Sequence, residues 1–165
     1  MTRPRLEAVA YALLRAGFGA ILLTHGLPKL LHESHGSMGD PMAGSIHLIR
    51  DVMHLPFAPQ LAFLVMLLET GGAVLLAAGA LTRLVALAFV GEMLGISVAL
   101  GPTWPWIDRG IEYPVLMALL AAWMAVRGGG PLSLDGLWSA RGGRDPAGRA
   151  DGVPQLPVLP DGRRE

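Results

Sequence analysis

Cysteine is absent from this 165-residue chain, and charged residues make up only 16% of it. The missing cysteine excludes disulfides, thiol chemistry and cysteine-ligated metal or iron–sulfur centres within the chain. Soluble domains usually carry about 25% charged residues, so the low charge content favours a chain that folds in lipid. The formal net charge is zero, and no nucleic-acid partner is expected of a chain without excess positive charge.

Hydrophobic residues, 52% of the chain, are concentrated in four long apolar runs. The runs cover residues 9–31, 61–81, 84–100 and 111–126. Each approaches the ~20 residues that cross a bilayer core, and a backbone in lipid must satisfy its own hydrogen bonds, so all four are predicted to be helices. The first run has no small-residue cleavage site after it, which favours an uncleaved span over a signal peptide. The sequence predicts an all-α, polytopic membrane protein with a bundle of four transmembrane helices.

The longest connection, residues 32–60, contains a second kind of helical pattern. Ile46, Ile49 and Met53 recur there at helical spacing. This spacing predicts a short interfacial helix over residues 45–55, which Pro56 and Pro59 end.

The basic residues predict an orientation. Only Thr82 and Arg83 separate the second and third runs, so these two helices are expected to form a tight hairpin. In a four-span topology seven arginines share the side of the N-terminus: Arg3, Arg5, Arg83, Arg127, Arg141, Arg144 and Arg149. Arg50 and Arg109 fall on the opposite side. The positive-inside rule therefore predicts a protein of the cytoplasmic (inner) membrane with both termini in the cytoplasm.

The end of the chain differs in composition from the rest. Residues 139–165 are rich in Gly, Pro, Arg and Asp and contain no aromatic residue. Such a segment cannot bury enough apolar area to offset its ordering entropy. We expect a membrane domain over residues 1–138 and a disordered cytoplasmic tail over 139–165.

One face of the first predicted helix carries three basic or titratable residues. At about 100° per residue, Arg15, His25 and Lys29 fall within one sector of that helix. A charge at the membrane centre costs about 2.5–3.5 kcal/mol, so this stripe is expected to face the inside of the bundle. Pro28 removes a backbone N–H beside His25 and is expected to make that end of the stripe a polar, kinked spot.

Each remaining helix brings one glutamate: Glu69, Glu92 and Glu112. The predicted depths of these residues in the membrane indicate that Arg15 pairs with Glu69 or Glu92. Glu112 is expected near His25 and Lys29, at the outer end of the first helix. Lys29 either reaches a carboxylate or extends to the membrane surface. Alternatively, these groups have a structural role only, since buried ion pairs can simply fix helix packing.

The glycines beside Glu69 favour close helix approach, which is the usual role of Gly71 and Gly72 in a membrane span. The histidines of the first connection lack a clear ligand pattern, so no metal site is predicted. Haem is also disfavoured, because His25 is the only histidine inside a predicted span.

Three motifs together resemble DoxX-type membrane proteins. They are Arg15-x-x-Phe18 through His25-Gly26-x-x-Lys29-Leu30; Glu69-x-Gly71-Gly72 with Gly79-x-x-Thr82-Arg83; and Gly110-x-Glu112-Tyr113-Pro114 followed by Gly130-Pro131-x-Ser133-Leu134-Asp135. The resemblance covers about residues 8–136. The polar residues that match it are Arg15, His25, Lys29, Glu69, Arg83, Glu112 and Tyr113. Glu92 is a candidate from its position alone.

The resemblance implies a four-helix protein of the cytoplasmic membrane, and some DoxX-like proteins are subunits of quinone- or thiol-linked redox systems. Three functions stay open. The first is a membrane subunit or anchor of a redox complex, with a quinone as candidate ligand and an oxidoreductase as candidate partner. The second is a non-catalytic scaffold or assembly factor, and the third is a small proton or metabolite transporter. No catalytic residue is assigned, and the chain is at most an accessory subunit of an enzyme. Oligomer formation stays open.

Overall fold

A computed structural model describes residues 2–141, except for the side chain of Trp106, and the regular elements in that range are helices. They are α1 (Arg3–Leu31), α2 (Pro41–His47), α3 (Ala58–Leu67), α4 (Ala73–Ala78), α5 (Thr82–Leu100), α6 (Glu112–Arg127) and α7 (Leu134–Arg141). A π-helical turn, Leu48–Val52, extends α2, and a second one, Leu68–Gly72, joins α3 to α4. The all-α prediction is confirmed for the described residues.

Three helical segments are long and apolar enough to cross a membrane: α1 with 29 residues, the continuous α3–α4 helix Ala58–Ala78 with 21, and α5 with 19. Large apolar side chains such as Leu13, Leu84 and Val98 are exposed along them, as expected where a surface meets lipid. The fourth predicted span, α6, has 16 residues.

The hairpin between α4 and α5 turns earlier than predicted. Gly79 has a φ of 73° and ends α4, and Leu81 has a φ of 50° and caps α5. Thr82 and Arg83 are the first residues of α5, so their assignment to the turn is wrong. Hydropathy could not place the turn, because Ala80 and Leu81 are as apolar as the helices they join.

The short helix of the first connection is present but shifted. It starts at Pro41, where the Asp40 side chain accepts a hydrogen bond of 2.8 Å from the backbone N–H of Ala43. Such a cap stabilises a helix start. The π-helical turn ends at Val52, before the two prolines that were expected to end it.

Close packing of α1 on the α3–α4 helix fixes the centre of the bundle. A Cβ atom on Gly19 would lie 2.6 Å from the Ala73 carbonyl oxygen, and one on Gly26 would lie 2.7 Å from the Glu69 carbonyl carbon. Gly19 and Gly26 are two helical turns apart, so they form one line of backbone contact. The main core then joins α1, α4, α5 and α6 and includes the edge-to-face ring pair of Phe18 and Phe89 at 5.6 Å.

The contacts define two ends of the bundle, which we call the α7 end and the α2 end. At the α7 end the Tyr11 hydroxyl donates a 2.5 Å hydrogen bond to the Gly128 carbonyl, and the backbone N–H of Asp135 donates to the Gly79 carbonyl at 2.9 Å. The start of α1, the α4–α5 turn and the end of α6 therefore meet there. The α2 end holds the first connection and the turn before α6. Helix α7 continues to Arg141, three residues into the predicted tail; residues 142–165 of that tail lie outside the described range.

Candidate functional site

A buried ion pair joins α1 to the α3–α4 helix near the α2 end. The Lys29 Nζ lies 2.5 Å from the Glu69 Oε2, and the two side chains are only 10% and 5% exposed. Of the two alternatives left open for Lys29, the structure shows the contact with a carboxylate and not the extension to the membrane surface.

Two local features place this pair. Glu69 lies in the π-helical turn Leu68–Gly72, a widened turn that occurs often at functional sites. Gly26, one turn before Lys29 on α1, packs directly against the Glu69 backbone. The absence of a side chain at Gly26 thus allows α1 to come close enough for the ion pair.

Glu92 adds a second carboxyl group from α5. Its two carboxyl oxygens are buried, its side chain lies within hydrogen-bonding reach of the Glu69 carboxyl group, and the charge of Lys29 also acts on it. Three ionisable groups from three helices thus share an apolar interior.

These residues line a cavity of about 790 Å³ at the α2 end. Its walls are mostly apolar and come from five parts of the fold, with Leu22, Ile49, Met53, Leu61, Leu68 and Ile96 among them. Its polar lining includes His25, Lys29, Glu69, Glu92, Arg109 and Tyr113. Part of the first connection forms one side of the cavity, so this loop contributes to the site.

His25 lies at the cavity and contacts a residue that the sequence did not single out. Its ring packs edge-on against the ring of His35, with centroids 4.9 Å apart. His35 is held by two backbone hydrogen bonds with Met38, of 2.9 and 3.0 Å. No periodicity in the sequence could have identified His35, because it lies in an irregular loop. Within the described range no group of three or more His, Asp or Glu side chains is placed to hold a metal ion.

The prediction that Arg15 pairs with Glu69 or Glu92 is wrong. Arg15 lies at the α7 end and is 2% exposed. Its guanidinium donates to three backbone carbonyls: those of Ala77 (3.3 Å), Leu132 (2.7 Å) and Gly129. The chain folds back after α6 and brings two of these carbonyls to α1, which satisfies the guanidinium without a carboxylate.

Asp135 completes this docking of the segment after α6. Its carboxylate accepts hydrogen bonds from the backbone N–H groups of Leu81 (2.8 Å) and Thr82 (2.9 Å) and so caps α5. Burial raises the pKa of Asp135, but these N–H donors and the Arg15 charge outweigh it, so the pKa lies below its ordinary value. The motif Gly130-Pro131-x-Ser133-Leu134-Asp135 is therefore explained by packing.

Seven of the candidate residues fall into two groups. His25, Lys29, Glu69, Glu92 and Tyr113 line the cavity. Arg15 and Arg83 lie at the α7 end, where Arg83 is exposed in the first turn of α5. Glu112 is exposed at the first residue of α6, and Gly71 is exposed on the π-helical turn. Gly72 is buried beside Leu68 and Phe89, and Pro28 lies inside α1.

Comparison with known proteins identified one family. A family model described as DoxX matches residues 10–102, which is more than half of the chain and contains Lys29, Glu69 and Glu92. The match ends before α6, so Glu112 and Tyr113 rest on the sequence resemblance alone. Searches of curated proteins and of solved structures gave no match.

Proposed function

Because the chain belongs to the DoxX family of integral membrane proteins, we propose that it is a membrane subunit of a quinone-linked redox complex whose cavity binds the quinone head group. The cavity at the α2 end is the observation that carries this proposal. Small-molecule sites typically enclose roughly 300–1,000 Å³, with mostly apolar walls and a few placed polar groups. The volume of about 790 Å³ and the polar set around Lys29 and Glu69 fit that description.

The chemistry of the lining supports a quinone over a fully polar ligand. A quinone has a planar ring with carbonyl acceptors and a long apolar tail. Lys29 and Tyr113 offer donors, while the remaining walls are mostly aliphatic. Leu64 and Ala88 line the cavity and are also exposed on the outside of their helices, which gives an apolar tail a route into lipid.

The topology is part of the same proposal. Helix α6 crosses the membrane as a fourth span: 16 residues at about 1.5 Å each give ~24 Å, and local thinning of the bilayer accommodates the difference from a ~30 Å core. Helix α2 lies at the outer surface, and both termini are cytoplasmic. The α7 end then faces the cytoplasm, where an oxidoreductase partner has access to it.

Purification from native membranes in mild detergent, followed by mass spectrometry of proteins and extracted small molecules, tests the proposal. We expect retained quinone and a co-purifying oxidoreductase. In addition, the purified protein is titrated with decylubiquinone, a benzoquinone with a short alkyl tail, and binding is followed by the shift in thermal unfolding.

A matched pair of variants locates the binding site. Ala88→Trp places an indole ring at the opening of the cavity to lipid, whereas Ala20→Trp places the same bulk on an exposed face of α1 outside the described cavity lining. We expect Ala88→Trp to abolish the shift and Ala20→Trp to retain it. A protein that retains no quinone and does not respond to decylubiquinone contradicts the proposed function and leaves the scaffold and transporter functions.

A further inference from the structure

Arg83 and Arg127 are exposed arginines that border one polar pocket at the α7 end. The pocket encloses about 440 Å³ and is lined by the start of α5, the end of α6 with the glycines that follow it, and one face of α7. The Arg83 Nε lies 3.1 Å from the position that a Cβ would take on Gly128, the residue after Arg127. Two guanidinium groups from different helices therefore border the same small space.

Within residues 2–141 neither arginine forms an ion pair with a carboxylate. Asp135 lines the same pocket, but its carboxylate accepts hydrogen bonds from the backbone N–H groups of Leu81 and Thr82. The described part of the pocket thus carries more positive than negative charge, which favours an anionic ligand.

Aromatic rings position the guanidinium of Arg127. Its Cζ lies 4.3 Å from the ring centroid of Tyr11 and 5.1 Å from that of Trp123. Such contacts hold a guanidinium in place without using its hydrogen-bond donors. Those donors are matched to the oxygens of a phosphate group, which arginine binds through paired hydrogen bonds.

The surface beside the pocket is apolar. Leu84 lines the pocket, and Leu84 and Leu87 are both exposed, one turn apart on α5. Helix α5 is one of the candidate membrane spans, so these side chains are expected to face lipid. A ligand that fills this site meets arginines at one end and an apolar helix face at the other. A phospholipid has both parts, whereas free phosphate has only the first.

We infer that the α7 end binds an anionic phospholipid, with its phosphate between Arg83 and Arg127 and an acyl chain along Leu84 and Leu87. Basic pockets at the ends of membrane helices bind acidic lipid head groups in this way. A zwitterionic lipid is a poorer ligand, because its head-group cation is repelled by the two arginines. The site is separate from the cavity at the α2 end and does not depend on the proposed quinone function.

Titration with two lipids that share their acyl chains tests this site. The full-length protein is purified in mild detergent, washed free of bound lipid, and titrated with dioleoylphosphatidylglycerol, which is anionic, or dioleoylphosphatidylcholine, which is zwitterionic. Bound lipid is counted by native mass spectrometry. The ionic strength is kept at about 0.15 M, where exposed charges more than ~8 Å apart are largely screened.

Two double variants remove the same charge from the same end of the bundle. Arg83→Gln with Arg127→Gln removes both guanidinium groups of the pocket. Arg3→Gln with Arg5→Gln is the matched control, because both residues are exposed at the start of α1 and lie outside the described pocket lining.

We expect the wild type to bind one phosphatidylglycerol about tenfold more tightly than phosphatidylcholine, as charge-assisted hydrogen bonds to the phosphate imply. The pocket variant should lose this preference and the control should keep it. Thermal unfolding without lipid should change little in either, since the substituted side chains are exposed. Arg83→Gln alone leaves the ring contacts of Arg127 in place and should lose part of the preference, so the test does not depend on the fold of the double variant.

Three results overturn the inference. Equal affinity of the wild type for the two lipids would mean that no head group is recognised. An equal loss of preference in the two double variants would mean that only the net charge of this end matters. Displacement of phosphatidylglycerol by inorganic phosphate at equal concentration would mean that the pocket binds a soluble anion and not a lipid.

Discussion

Lys29 is the single lysine of the chain, and its charge is buried. It forms its ion pair with a residue 40 positions later in the sequence, across the contact between two candidate spans. A buried pair contributes little compared with an apolar pair, but removal of one partner leaves a buried charge and costs about 3–5 kcal/mol. The pair therefore specifies which faces of the two helices meet.

Lys29→Met should lower the unfolding temperature in detergent clearly, because Glu69 loses its counter-charge. The double variant Lys29→Met with Glu69→Leu should recover most of that loss, since neither charge remains. Arg3→Met is the control, because it breaks the exposed pair of Arg3 and Glu7 and should change little. Equal stability of Lys29→Met and the wild type would contradict the ion pair.

Arg15 has a different role from Lys29, and the difference is testable. Only a guanidinium can donate to three carbonyls in a fixed planar arrangement. Arg15→Lys therefore keeps the charge but loses some of the hydrogen bonds to these carbonyls. Each buried carbonyl left unsatisfied costs about 1–3 kcal/mol. We expect faster amide hydrogen exchange in residues 128–136 of Arg15→Lys, measured by mass spectrometry. Arg5→Lys, exposed on the same helix, is the control, and unchanged exchange in Arg15→Lys would show that the segment docks without the guanidinium.

At the level of elements, the spans were predictable and the turns within them were not. Lipid forces apolar runs into helices, so hydropathy located three membrane helices to within six residues at each end. The π-helical turn at Leu68–Gly72 could not be predicted from hydropathy. It differs from an α-helical turn by one additional residue, which does not change the average hydropathy of the segment. Close helix approach was predicted at Gly71 and Gly72, but a Cβ on Gly71 would meet no atom within 4 Å. The tight contacts between helices lie instead at Gly19 and Gly26, whose role depends on which face of α1 meets the α3–α4 helix.

The packing of α1 on the π-helical turn predicts opposite effects for two glycines of the same helix. A Cβ on Gly26 would overlap the Glu69 backbone, whereas one on Gly17 meets no atom within 4 Å. Gly26→Ala should lower the unfolding temperature, with a cost of about 1–3 kcal/mol for overpacking. Gly17→Ala should be neutral or stabilising, because alanine favours helix by about 1 kcal/mol. If both variants behaved alike, α1 would not pack on Glu69 as described.

For the whole molecule, the sequence predicted that polar groups gather inside the bundle but not that they form two separate sites. Helix register and depth placed Arg15 near the glutamates. Its acceptors on the return segment are instead 114 and 117 residues away in sequence, on a stretch that periodicity cannot position. The cavity could not be predicted for the same reason. It forms where the first connection folds over the ends of the spans, which are distant from it in sequence.

The proposed four-span topology can be tested directly because the chain contains no cysteine. Ser34 and Ser139 are exposed, the first at the α2 end and the second on α7, so each can be replaced by cysteine as a unique label site. If α6 crosses the membrane, Ser34→Cys should react with a membrane-impermeant maleimide in intact cells and Ser139→Cys only after permeabilisation. The wild type should not react. If α6 does not cross, the two cysteines lie on the same side of the membrane and both react in intact cells. Helix α7 would then lie on the outer side of the membrane, and a cytoplasmic oxidoreductase could not dock on it.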